Sequence, residues 1–136
     1  MTTKEYLKQA RYLDLSIDAK LEQVSSLHDL ATKATSIISD MPGSSTRNTH
    51  RMEDTIIKML MLENEINQDI DKLVDLKNEI QAKINNVDDD ECRILLEKRY
   101  LNYESWENIS KDMGYGLQNI YKIHTKALKK ITHSWK

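Results

Sequence analysis

A Pro-Gly pair at 42–43 is the only strong helix breaker in the first 113 residues, and it divides them into two long stretches of seven-residue apolar periodicity. From about Thr3 to Met41, one seam position carries Ala10, Ile17, Val24, Ala31 and Ile38, and the other carries Tyr6, Leu13, Lys20, Leu27, Ala34 and Met41. Lys20 is the one charged exception. From about His50 to Val87, Met52, Met59, Ile66, Leu73, Ile80 and Val87 occupy one seam, with Ile56, Glu63, Ile70, Lys77 and Ile84 at the other. A helix of that length spans about 57 Å. The intervening Met41–Thr49 reads as a loop, so the first expectation is a long antiparallel helical hairpin, coiled-coil-like, over residues 1–87. The hairpin alone leaves Leu21, Leu30, Ile37, Ile57, Leu60, Leu62 and Leu76 half exposed, which predicts a homodimer or higher homo-oligomer.

Composition points the same way. Three glycines, one proline and no phenylalanine in 136 residues favour an all-α protein. No apolar run reaches the roughly 18 residues of a membrane span, and the N-terminus has no apolar signal-peptide core. The single cysteine, Cys92, excludes an intrachain disulfide and fits a reducing cytoplasm. His28, His50, His124 and His133 lack metal-ligand spacing, and the acidic run Asp88–Glu91 lacks the spacing of a calcium loop. No nucleophile–base constellation is visible, so neither an enzyme nor a cofactor or metal is expected.

The remaining segment, 88–136, reads as a second domain. Asp88 with Glu91 has capping-box spacing ahead of a third helix, Asp89 to Leu101, whose inner positions are Cys92, Leu95, Leu96, Arg99 and Tyr100. Ser105 then caps a short helix with Trp106, Ile109 and Met113 on one face, and Gly114 closes it. Past Gly116 a last helix has Leu117, Ile120, Ile123, Ala127, Leu128 and Ile131 as its apolar positions. Two helices about a glycine turn form the pattern of a helix-turn-helix, in which the second helix enters the DNA major groove. From Tyr115 onward there are five lysines and no acid, although the whole chain has a net charge of −2.

Residues 89–131 resemble region 4 of the sigma-70 family of transcription initiation factors. The likeness runs through Asp90–Leu95, Arg99-Tyr100, Ser105–Ile109, Met113-Gly114-Tyr115 and the Ile120, Ile123, Ala127, Leu128, Ile131 pattern. The whole chain, with a Ser-Asp-Met-Pro loop at Ser39–Pro42, is also similar to small phage- and prophage-encoded proteins of Gram-positive bacteria, among them ArpU-type late-operon regulators. The resemblance implies a three-helix, sigma-region-4-like DNA-binding domain in a phage transcriptional regulator. Gly116 and Leu117 replace the usual Ser and Arg, and Gln118, Asn119 and Tyr121 replace charged residues, so a sigma-type promoter element is not the expected target.

On this reading Gln118, Asn119 and Lys122 face base edges, Tyr121 reaches phosphate or a thymine methyl, and Lys126, Lys129 and Lys130 hold the backbone of double-stranded DNA, with Lys111 a further phosphate contact. Two alternatives stay open: a module that binds host RNA polymerase with little DNA affinity, and a small-terminase-like subunit that recognises phage DNA for packaging.

Overall fold

The computed structural model describes the backbone of residues 1–40 and 45–134, and the side chains of 1–33 and 50–134. The expectations for Met41–Ser44 and Trp135, and for the side chains of Ala34, Ile37 and Ile38, lie outside these residues. The protein is all-α: α1 spans Thr3–Asp40, α2 Ser45–Asn85, α3 Asp90–Leu96, α4 Trp106–Met113 and α5 Leu117–Ser134, with a π-helical turn at Glu97–Leu101. No strand occurs among the described residues, and none of their helices is long and apolar enough to cross a membrane. Helix α2 starts five residues before the expected His50, because nothing after Gly43 forbids it and Ser, Thr and Asn disfavour helix only weakly.

Contacts gather the chain into two compact units, Leu15–Asp71 and Met1–Asp14 with Lys72–Lys136. The expected division at residue 87 follows the change in sequence character rather than these units. In the first unit the α1 seam is as the sequence predicts: Ile17 is buried, and Val24, Leu27 and Ala31 are half-buried. Lys20 meets Asp69 at 2.6 Å and Glu65 at 3.7 Å, while Leu27 lines a shared cavity with Leu62, so α1 and α2 run antiparallel there. The charged exception in one seam thus faces a carboxylate in the other, and Asp69 holds the Lys20 ammonium above its usual pKa.

In α2 the first expected seam holds, and the second holds only at its end, where Lys77 is half-buried and Ile84 fully buried. Ile56, Glu63 and Ile70 are exposed, and Thr55, Leu62, Asp69 and Leu76 are the half-buried residues instead. Up to Leu76 the seam lies three residues after Met52, Met59, Ile66 and Leu73, not four, and it returns to the expected spacing at Ile80 and Ile84. Leu21, Leu30, Ile57 and Leu60 are exposed as expected, whereas Leu62 and Leu76 belong to the covered face.

The second unit has two clusters of core residues, with Ile123 packed against both. In the larger cluster Leu7 and Ala10 of α1 pack with Ile80 and Ile84 of α2, Val87 of the α2–α3 joint, Cys92 and Leu96 of α3, Tyr100, and Ala127 and Ile131 of α5. Asp89, not Asp88, caps α3: its carboxylate accepts from the Cys92 amide at 3.1 Å, and Asp88 turns instead to Lys130. The expected α-helix to Leu101 widens into a π turn after Leu96, where the Asn102 amide donates to the Glu97 carbonyl, an i to i+5 bond. Tyr103 follows at φ 60°, a conformation that costs a residue with a Cβ roughly 1–2 kcal/mol. Its surroundings hold it: Lys77 and Arg11 lie 4.6 and 5.0 Å from its ring centroid, and its hydroxyl donates to the Ala10 carbonyl at 3.3 Å.

Glycine at 103 keeps the backbone and removes the strain, whereas alanine keeps the strain and loses the ring. Both variants lose stability in urea unfolding, and Tyr103→Ala loses about 1 kcal/mol more than Tyr103→Gly. Equal losses would show that the left-handed residue is not strained.

Candidate nucleic-acid interface

Helices α4 and α5 are set by their caps. The Ser105 hydroxyl accepts from the Asn108 amide at 3.2 Å and opens α4, as the sequence predicts. Gly114 closes it at φ 75°, and the amides of Gly114 and Tyr115 both donate to the Ser110 carbonyl, at 3.0 and 3.2 Å. The Ser110 hydroxyl donates to the Tyr115 carbonyl and ties the turn from the other side. Helix α5 starts two residues later, so the direction of its first turn is fixed by this knot.

Beneath the turn, Leu95, Ile109 and Ile120 are fully buried, with Trp106, Met113 and Ile123 packed around them. Leu117 does not join them: it is 38% exposed, because it stands on the first turn of α5, ahead of the Ile120 face. The residues expected to read DNA divide into two groups. Gln118, Asn119, Lys122 and Lys129 are exposed on α5, and Lys111 is exposed on α4. Tyr121 is also exposed, with its ring edge-on to Trp106 at 5.5 Å. By contrast, Lys126 binds Asp89 at 3.0 Å and Lys130 binds Asp88 at 2.9 Å. These lysines hold α5 to the start of α3. Asp88 is held below the usual carboxylate range by Lys130, and Asp89 is lowered to about 2, first by the Cys92 amide and then by Lys126. Both pairs are exposed, so each contributes little stability.

His124 is the residue that sequence reasoning missed. It sits on α5 in helical register with Ile120, Ala127 and Ile131, which was the available signal, and it is 8% exposed. Its Nε2 lies 2.6 Å from the Tyr100 hydroxyl, and Trp106 meets its ring edge-on at 4.7 Å. Arg99 covers the Trp106 ring at 4.3 Å and donates to the Glu104 carbonyl at 3.0 Å. Burial pushes the imidazole down to about 4, helped by the positive charges of Lys4, Arg99 and Lys8. Burial also raises the Tyr100 hydroxyl to about 12, so tyrosine donates and neutral histidine accepts. A cavity of about 240 Å³ opens beside this pair, lined by Lys8, Arg11, Tyr12, Arg99, Tyr100 and Tyr103. Among the described residues no group of three or more His, Cys, Asp or Glu could hold a metal ion.

Residues 30–132 match the family described as protein of unknown function (DUF1492), and the chain belongs to it. No curated protein and no solved structure matches the chain.

The neutral histidine makes folding depend on pH. Below about 6.5 the unfolded chain takes up a proton that the folded chain refuses until about 4, so this contribution is complete above pH 6.5 and is lost as pH falls toward 4. The loss is at most about 3 kcal/mol. Thermal melts from pH 7.5 to 4.5 will show a falling Tm that flattens in His124→Gln; an unchanged slope in that variant would assign the acid sensitivity to other groups.

Proposed function

We propose that this member of the family is a DNA-binding transcriptional regulator that presents α5 to the major groove and self-associates through its long helices. The observation that carries the reading is the outer face of α5. Gln118, Asn119 and Lys122 stand exposed on its first turns, its start is fixed by the Gly114 turn, and no acid occurs from Tyr115 onward. An α-helix with such a face fits the major groove, where Asn and Gln suit adenine and lysine suits guanine or phosphate. In this reading α4 and α5 form a helix-turn-helix of the sigma-region-4 type, residues 88–136 are the reading head, and residues 1–87 are the oligomerising hairpin. The resemblance to phage late-operon regulators supports control of phage promoters. Catalysis has no part in it.

The intramolecular pairs of Lys126 and Lys130 refine the roles of the lysines. Lys122, Lys129 and Lys111 are the primary phosphate contacts. Lys126 and Lys130 contribute by orienting α5, and their exposed ion pairs can exchange a carboxylate for a phosphate. A protein partner such as RNA polymerase is the second reading. It is favoured by the cavity between Lys8, Arg11 and Arg99, whose cations and tyrosines suit an acidic segment better than a groove of DNA.

The test is a salt-titrated binding assay on fragments of the genome that encodes the chain. One fragment will be selected, with affinity falling steeply as salt rises. Asn119→Ala will cost about 1–3 kcal/mol on that fragment alone, and Lys129→Ala will weaken all DNA similarly and lower the salt slope by about 1. Absence of binding at low salt would end the DNA reading and favour the protein partner.

A further inference from the structure

Helix α2 carries a second apolar stripe that the described residues leave exposed. Ile56, Leu60, Ile70 and Val74 are 43, 59, 41 and 51% exposed, and the exposed Glu63 and Asn67 lie between them. The spacing through these six residues alternates four and three, which is that of a coiled-coil seam. At about 100° per residue, this stripe lies about 100° around α2 from the covered stripe of Met59, Leu62, Ile66 and Asp69. A helix in a four-helix bundle contacts two neighbours on faces separated by about that angle.

The order of residues along the stripe identifies the neighbour. Reversed about Glu65, the stripe matches itself: Ile56 falls opposite Val74, Leu60 opposite Ile70, and Glu63 opposite Asn67. Each apolar residue meets an apolar one, and each carboxylate meets an amide that can donate to it. A parallel pairing instead sets Glu63 against Glu63 at the same level, two like charges inside a seam. We propose that the stripe from Ile56 to Val74 is a two-fold, antiparallel interface with the α2 of a second copy of this chain. The inference rests on the self-association in the function proposed above and gives it a surface and a direction. The stripe is about 27 Å long. The two Glu63–Asn67 pairs at its centre fix the register, because a shift of one heptad would set Glu63 or Asn67 against an apolar residue.

The experiment uses two full-length variants, Leu60→Cys and Ile70→Cys, oxidised separately and as a mixture. Both positions are exposed, so neither change opens the core, and native Cys92 is 1% exposed and does not compete. In the antiparallel pairing residue 60 faces residue 70, while like residues lie about 15 Å apart, beyond disulfide reach. The mixture will give ~tenfold more covalent dimer than either variant alone. Light scattering of the unmodified chain will give the dimer mass, and Leu60→Asp will reduce it to the monomer mass. Strong cross-linking of Leu60→Cys alone would overturn the direction, and a monomeric unmodified chain at high concentration would overturn the interface. Neither readout contains DNA, so failure here leaves the DNA reading intact, and failure of DNA binding leaves these masses and cross-links unchanged.

Discussion

The core that joins Leu7 and Ala10 to Ile80, Ile84 and Val87, and all of these to Ala127 and Ile131, is the interaction on which the rest depends. Each of these side chains is at most 2% exposed, at about 1.5–3 kcal/mol for a fully buried large aliphatic residue. The underside of α5 is therefore covered by the first turns of α1 and the last turns of α2. Residues 88–136 share their interior with the ends of the two long helices. Removing residues 1–14 would uncover the same apolar surface that supports α5.

Electrostatics on α5 follow from that arrangement. Lys126 and Lys130 face the acidic start of α3, so two of the five lysines that make the last segment look basic are partly neutralised inside the molecule. The charge left for a partner lies at Lys122 and Lys129, along the outer line of the helix. Buried His124 adds none at neutral pH, because burial disfavours its charged form and the positive charges of Lys4, Arg99 and Lys8 add to that cost. Composition alone counts all these groups equally. Packing decides which of them a phosphate can meet.

The all-α class, the α1 seam, the Ser105 cap and the Gly114 turn were legible because each depends on residues within one or two helical turns. The first three positions of the second seam of α2, Ile56, Glu63 and Ile70, were not. Ile56 and Ile70 have the right spacing for a buried stripe, and apolar periodicity cannot distinguish a stripe covered by the same chain from one left outward. The five-residue turn and left-handed Tyr103 were invisible for a different reason. A tyrosine adopts that conformation only when Lys77, Arg11 and the Ala10 carbonyl surround it, and these come from three separate parts of the sequence. Asp89 rather than Asp88 caps α3, while Asp88 meets Lys130, 42 residues downstream.

Cys92 lies where α3 meets that shared core, and burial with Asp89 nearby pushes its thiol up to about 11. A thiol that is covered and protonated does not react with alkylating reagents in the folded chain. Its modification requires the helices around it to part. The rate at which a small electrophile consumes this one sulfur is thus a clock for how often the α1, α2 and α5 contacts open together, read from the native chain with no label introduced.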